Sequence, residues 1–209
     1  MEKLWGMTKL ELKKFRQDNS GRVQKPAAGS EGLPPDSRYW RNHGRLYTDF
    51  LTDPKYGEVL AAEFSKRFVK RLEHQCNNEG WASTSVLGLL KKHMFESATE
   101  TLFGTKLFDL NPSLTDCYWE FDVAMGKLVT APFDFLQPHA NSSKNRLHAM
   151  VRRHIDFAWD NFDFDGADAE CVWEPNFGSR LSRESALWLR ANGFQEHTIA
   201  GHTLATLIG

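Results

Sequence analysis

The sequence predicts a mainly α-helical protein, and two observations support this fold class. Apolar residues recur at steps of three and four along most of the chain, which is the period of a helix with one buried face. No stretch alternates apolar and polar residues over the length of a β-strand, and no repeat of roughly 20 to 50 residues is present. We therefore expect one helical domain over residues 1–209.

The first 37 residues are expected to be mostly loop, and residues 38–209 mostly helical. The segment NSGRVQKPAAGSEGLPPDS, residues 19–37, is rich in Gly, Pro and Ser, which favour turns over helices. Asp36 and Ser37 are suitable caps for a first helix over 39–53, and Pro54 is expected to stop that helix.

Three more helices are predicted in the middle of the chain. The first, over 55–75, carries an apolar stripe at every fourth position: Leu60, Phe64, Phe68 and Leu72. The second, over 85–102, shows the same three- and four-residue steps. The third, over 112–130, begins at Pro112, a residue that suits the first helical turn.

The last part of the chain predicts three helices and one polar loop. A long helix over 138–161 is followed by an acidic loop from Asp160 to Gly166. A helix over 182–191 ends at Asn192-Gly193, a pair typical of helix C-termini. A final helix runs from 195 to 209, where the sequence is still apolar, so we expect the protein to continue further.

Charge and hydropathy exclude two kinds of partner. Lys and Arg number 26 against 27 Asp and Glu, whereas a nucleic-acid-binding domain has a strongly basic face. The basic cluster Lys66, Arg67, Lys70 and Arg71 is interpreted as a solvated helix face. No apolar stretch reaches the roughly 18 residues of a membrane span, and the N-terminus has no signal-peptide pattern. We expect no nucleic-acid partner and no transmembrane segment.

The cysteines and acidic residues do not form a recognisable metal site. Cys76, Cys117 and Cys171 are widely spaced and match no zinc or disulfide pattern, which favours a reduced, intracellular setting. The acidic residues over 160–170 lack EF-hand spacing, and a solvated loop explains them. Hydrolase and nucleotide-binding motifs such as Gly-x-Ser-x-Gly, the Walker loop and HExxH are absent from the sequence.

Six segments carry a family resemblance through their order and spacing: FRQDNSG from Phe15, PAAGS from Pro26, HGRLYTDFL from His43, ETLFG from Glu100, NPSLTDCYWEFD from Asn111 and FGSRLSRESALWLRANGF from Phe177. Together they resemble fungal cytochromes P-450, which are haem-thiolate monooxygenases. Within that family they are similar to the branch of sterol 7α- and 12α-hydroxylases and prostacyclin synthase.

The resemblance implies a partial cytochrome P-450 fold, from helix C to the first half of helix I, truncated before the haem-binding half. The implied helices are C (39–52), D (55–75), E (85–102), F (112–130), G (138–161), H (182–191) and I (195–209). The parent enzyme is expected to bind haem (heme) iron, to insert oxygen from O2 into a lipid-like or secondary-metabolite substrate, and to take electrons from a reductase. The family is often anchored to the endoplasmic-reticulum membrane.

The sequence motifs with which the family binds haem and activates oxygen are not recognisable in this chain. None of the three cysteines lies in a Phe-x-x-Gly-x-x-x-Cys-x-Gly loop, and no Glu is followed by Arg three residues later. Ala200-Gly201-His202-Thr203 superficially resembles the oxygen-activation motif but lacks its acid, so we interpret it as structural. We expect this chain to be inactive alone, with no catalytic residue and no bound haem.

Two sets of contact residues follow from the resemblance. Helix C of the family supplies cations to the haem propionates, and His43 and Arg45 are the candidates, with Arg41 third; the other interpretation is surface charge on a short helix. Phe133, Phe135 and Leu136 are candidate substrate contacts, and the other interpretation is plain core or a membrane-facing lid.

A different function class also fits the sequence. A helical protein without the thiolate loop can be a non-catalytic module that binds a lipid or a partner helix. Binding of haem iron through sulfur discriminates between the two classes, because only the first requires a cysteine thiolate.

Overall fold

Helices dominate the computed structural model, which describes residues 6–76, 83–130 and 137–208. The α-helices are α1 (Lys9–Gln17), α2 (Tyr39–Tyr47), α3 (Pro54–Cys76), α4 (Val86–Leu89), α5 (Phe95–Phe103), α6 (Lys106–Leu110), α7 (Leu114–Thr130), α8 (Pro138–Asn161), α9 (Arg180–Ala191) and α10 (Glu196–Ile208). The expected mainly α fold class is confirmed. No helix among the described residues is long and apolar enough to cross a bilayer.

Most of the predicted helices form, with local differences at their ends. The helix over 138–161 begins and ends as expected, with Pro138 in its first turn. The first predicted helix changes to π-helical turns over Thr48–Thr52, and the one over 85–102 is divided by π-helical turns at Leu90–Met94. Residues 36 and 37 lie in a short 3₁₀ turn and do not cap α2.

Two helices were not expected from the sequence. Helix α1 lies within the segment expected to be mostly loop, and Thr8 and Glu11 form a capping box at its start. Its apolar residues Leu12 and Phe15 are buried. Helix α6 is only five residues long, which is too short for an apolar period to be visible.

A two-stranded antiparallel hairpin precedes α9. Its strands are β1 (Trp173–Glu174) and β2 (Gly178–Ser179), with Trp173 paired to Ser179. Strands of two residues carry no alternating pattern, so the sequence does not predict them. Gly178 and Gly104 both have positive φ, and a Cβ on either residue would overlap the backbone of the other segment. The hairpin therefore lies directly on the end of α5.

Two buried clusters form the core, and helices α8 and α10 contribute to both. The first joins α1, α8, α9 and α10 through residues such as Phe15, Ile155, Leu189 and Ile199. The second joins α5, α6, α7, α8 and α10 through Leu107, Phe121, Leu147 and Leu204, among others. Because both clusters contain residues of α8 and α10, these two helices lie at the centre of the core.

The basic cluster of α3 is only partly a solvated face, which corrects the sequence-based interpretation. Lys66 and Lys70 are exposed as expected. Arg71, in contrast, pairs with Glu96 at 3.2 Å and with Glu100 at 2.6 Å. Arg67 pairs with Glu63 and Glu100 and stacks on the ring of Trp173. The two arginines bind α3 to α5, and the charge-balanced sequence gave no sign of this pairing.

Candidate functional site

Polar side chains of α2 and α10 meet beside the candidate residue His43. The His43 ring meets the His202 ring edge to face, with ring centroids 5.2 Å apart. One turn further along each helix, the hydroxyls of Tyr47 and Thr206 are hydrogen-bonded at 2.7 Å. His43 also lies 5.1 Å from the Tyr47 ring. These four side chains therefore form one continuous polar contact, which we call the α2–α10 cluster.

The α2–α10 cluster carries no net charge near neutral pH. Burial, with a contribution from the charge of Arg22, lowers the pKa of His43 below its usual value. Burial and the neighbouring His43 lower the pKa of His202 to about 3. Burial raises the pKa of Tyr47, although its hydrogen bond with Thr206 acts in the opposite direction. The imidazoles can therefore serve as neutral donors or acceptors, but not as cations.

Arg45 belongs to a different surface of α2. Its guanidinium pairs with Asp49 at 3.1 Å, and both side chains are more than 40% exposed. It borders an open groove of about 440 Å³, whose lining residues are Arg22, Gln24, Arg41, Gly44, Arg45, Thr48 and Asp49. Three guanidinium groups against one carboxylate make this basic groove suitable for an anion such as a carboxylate.

A buried arginine fixes the wall of the basic groove. Arg38 is only 3% exposed and donates hydrogen bonds to the carbonyl oxygens of Ser20, Val23 and Gln24. These bonds hold the preceding loop against the start of α2. As a result, the guanidinium of Arg22 stacks 5.1 Å from the ring centre of Trp40.

The structure does not bring His43 and Arg45 together. Residues two apart on a helix point about 200° from each other. In agreement with this, His43 contacts α10 while Arg45 contacts Asp49 and the basic groove. Arg41, the third candidate, shares the groove with Arg45 because the two are four positions apart. Sequence reasoning did not single out Tyr47, although it lies in α2, and it missed Arg22 and Thr206 because they are distant from α2 in the sequence.

Neither of the two described cysteines lies beside the basic groove. Burial raises the pKa of the Cys117 thiol, which lies 3.8 Å from the carbonyl of Ser143. The sulfur of Cys171 lies 3.6 Å from the guanidinium of Arg183. Among the described residues, His, Cys, Asp and Glu form no group of three that can hold a metal ion. Within the part of the chain that the structure describes, the guanidinium groups of the basic groove fit the carboxylates of a haem, and no group that would ligate its iron is present.

Other residues chosen from the sequence are placed as follows. Phe133, Phe135 and Leu136 lie outside the described residues, between the end of α7 and the start of α8. The hydroxyl of Thr203, in the segment that superficially resembles an oxygen-activation motif, donates to the carbonyl of Ile199 at 3.1 Å inside its own helix. This internal bond agrees with the structural interpretation of that segment.

The curated proteins that this chain resembles in sequence are fungal cytochrome P450 monooxygenases. The chain is 30% identical, over all 209 residues, to the cytochrome P450 monooxygenase calL of Penicillium decumbens. It is 29% identical over 94 residues to fsoE of Humicola fuscoatra and 26% identical over 138 residues to efuG of Hormonema carpetanum, both also named cytochrome P450 monooxygenases.

These matches cover only part of each relative. The chain spans 39% of the length of the Penicillium protein, and the matched segments span 16% of the Humicola protein and 24% of the Hormonema protein. No family model matches the chain. No solved structure matches it either.

Proposed function

Because this chain belongs to the fungal cytochrome P450 monooxygenase family, we propose that it forms the part of a haem-thiolate monooxygenase from helix C to the first half of helix I. The identity of 30% over all 209 residues carries this proposal. The whole enzyme would insert one oxygen atom from O2 into a lipid-like or secondary-metabolite substrate, with electrons from a reductase. Haem, which the family implies for the full-length protein, supplies the oxygen chemistry when bound. Its setting would be intracellular, on the endoplasmic-reticulum membrane.

We assign separate roles to the two faces of α2. Arg45, with Arg22 and Arg41, would hold the haem propionates, because the basic groove offers several guanidinium donors for carboxylates. His43 would contribute a neutral hydrogen-bonding group at its contact with His202 of α10, because its lowered pKa leaves it uncharged at neutral pH. The bond between Tyr47 and Thr206 would keep these two helices in register.

The substrate would enter beside α7 and α8, the helices that we assign to F and G of the family. Phe133, Phe135 and Leu136, which connect these helices, remain our proposed substrate contacts because they are large and apolar. An open groove of about 780 Å³ lies between the two helices, with Trp119, Val123 and Ala140 among its lining residues. Apolar surface at this place agrees with a lipophilic ligand.

We further propose that the chain alone is inactive. A haem-thiolate enzyme needs a cysteine thiolate at the iron. Cys117 is held as a buried thiol, and Cys171 faces Arg183 in a loop. Neither cysteine lies beside the basic groove.

The proposed inactivity can be tested by a spectrum. The purified chain is mixed with hemin, reduced and exposed to carbon monoxide. The purified chain should give no red-shifted Soret band of the thiolate type. A variant with Cys76→Ser, Cys117→Ser and Cys171→Ser is the matched control, and its spectrum should equal that of the unaltered chain. A red-shifted band that the triple variant loses would contradict the proposal of inactivity.

The reading frame beyond the codon for residue 209 tests the family role itself. We expect it to encode a Glu-x-x-Arg pair and then a Phe-x-x-Gly-x-x-x-Cys-x-Gly loop. Expression of that longer protein should restore the thiolate spectrum, and Arg45→Ala in it should lower the haem content. A frame that encodes neither motif would contradict a monooxygenase role.

A second candidate function is a non-catalytic module that binds a lipid or a partner helix. One observation favours it: the apolar residues Val86, Leu87, Leu90 and Met94 are exposed along α4 and the turns after it. An exposed apolar stripe of this kind is typical of contact surfaces. A longer protein with a thiolate spectrum would decide for the enzyme, whereas a longer protein that never binds haem would decide for the module.

A further inference from the structure

A small, mostly enclosed cavity lies where α5, α9 and α10 meet. Its volume is about 10 Å³. It is lined by Leu102, Phe103, Ser179, Leu181, Ser182, Ser185, His202, Thr203 and Thr206. Most of these side chains are polar, so the cavity differs from the dry, apolar voids of a protein core.

Three of the hydroxyls around the cavity already have protein acceptors. Ser179 donates to the carbonyl of Leu102 at 2.8 Å. Thr203 and Thr206 each donate to a carbonyl one turn earlier in α10, both at 3.1 Å. These bonds leave the three groups satisfied without any guest in the cavity.

The hydroxyls of Ser182 and Ser185 have no such acceptor. Both side chains lie on α9, are 7% and 6% exposed, and have no hydrogen-bond partner in the protein. Buried polar groups are almost always paired, either with protein or with ordered water. Two unpaired hydroxyls at one cavity therefore indicate a bound molecule that can form hydrogen bonds with both.

We propose that this cavity binds one ordered water molecule, held by the hydroxyls of Ser182 and Ser185 and bordered by the imidazole of His202. The volume matches the roughly 10–15 Å³ that one water requires, and two to four polar partners are usual for a buried water. An apolar guest would leave both hydroxyls unpaired. The water would lie between the two serine hydroxyls of α9 and the imidazole of His202 on α10, which belongs to the α2–α10 cluster. The proposal is independent of any haem role.

A high-resolution crystal structure of the full chain gives the direct test. We expect a solvent peak within about 3 Å of both serine Oγ atoms. An empty cavity, or serine hydroxyls rotated onto backbone carbonyls, would overturn the proposal.

A double-mutant cycle gives a second test that needs no crystal. Ser182→Ala and Ser185→Ala should each raise the equilibrium constant for unfolding about five- to tenfold, because each takes one partner from the shared water. The double variant should show less than the product of the two effects, since the water is lost only once. Without a water, removal of an unpaired hydroxyl should leave the constant unchanged or lower it, and this result would overturn the proposal.

A matched control uses a buried serine away from the cavity. The hydroxyl of Ser20 is bonded to Asp18 and Arg38. Ser20→Ala combined with Ser182→Ala should give the full product of the two single effects. Equal coupling in this control pair and in the cavity pair would count against a shared water.

Discussion

The carboxylate of Glu11 accepts a hydrogen bond from the backbone N–H of Gln195 at 2.7 Å, across 184 residues of sequence. The same carboxylate accepts bonds from the hydroxyl of Thr198 and from the backbone N–H of Thr8, both at 2.9 Å. One buried side chain therefore caps the start of α1 and the start of α10 together. This double cap fixes the N-terminal segment to the helix that meets α2.

Removal of the double cap should destabilise the protein strongly. We expect Glu11→Ala to lower the free energy of unfolding by about 2–3 kcal/mol, because several buried donors lose their acceptor. Urea denaturation measures the difference. Glu31→Ala, at an exposed position, is the control and should stay within about 0.5 kcal/mol of the unaltered protein. An equally stable Glu11→Ala variant would show that the cap does not hold the two helices.

The same carboxylate makes stability depend on acid. Burial raises the pKa of Glu11, but the hydrogen bonds from Gln195, Thr8 and Thr198 outweigh it, so the folded pKa lies below the ordinary 4.5. Its contribution to stability is therefore complete above about pH 4.5 and is lost as the pH falls through the lowered pKa. We expect Glu11→Gln to flatten the fall of the unfolding free energy below pH 4.5. A slope equal to that of the unaltered protein would exclude this role.

The buried residue His154 should make stability depend on pH in a higher range than Glu11 does. His154 donates from Nε2 to the carbonyl of Asn176 at 2.6 Å, and burial lowers its pKa from 6.5 to about 4 despite that bond. Between pH 6.5 and pH 4, His154 is therefore protonated in the unfolded chain but stays neutral in the folded protein. The contribution of His154 to stability is complete above pH 6.5 and falls by about 3 kcal/mol over this window.

His154→Gln tests the contribution of this histidine to the pH dependence. The variant should show a smaller change of the unfolding free energy between pH 6.5 and pH 4, whatever its stability at neutral pH. His139→Gln, at an exposed position, should keep the full change. If both variants follow the unaltered protein, other groups cause the pH dependence.

Where the hairpin meets the end of α5, there is no room for a side chain at Gly104 or Gly178. Gly104→Ala and Gly178→Ala would each place a Cβ against backbone atoms of the facing segment, and both positions have positive φ. We expect each substitution to lower the melting temperature, with a loss of about 2–4 kcal/mol in stability. Gly32→Ala, which meets nothing within 4 Å, should be nearly neutral. A tolerated alanine at residue 178 would show that the hairpin can move away from α5.

What the sequence predicts well is what depends on neighbouring residues. The helix over 138–161 was predicted with both ends, because Pro138 and the apolar period are local signals. The half of the Glu11 cap at α1 is a local Thr-x-x-Glu pattern. The half at α10 joins Glu11 to donors at Gln195 and Thr198, which are too distant in the chain for a local pattern to show. His43 and Arg45 lie on one helix, as the sequence predicts. Which of them faces α10 depends on tertiary packing, which a local pattern does not contain.

The ion pairs between α3 and α5 give the last prediction. Arg71 joins Glu96 and Glu100, and all three side chains are about four-fifths buried. Arg71→Met keeps the aliphatic contact of the arginine stem, but it leaves Glu96 without its cation and Glu100 with Arg67 alone. We expect a loss of about 1–2 kcal/mol, reduced by the remaining solvent access. The matched variant Lys70→Met, on the exposed face of the same helix, should change stability by less than about 0.5 kcal/mol. Equal effects of the two variants in urea denaturation would mean that Arg71 acts as another solvated charge.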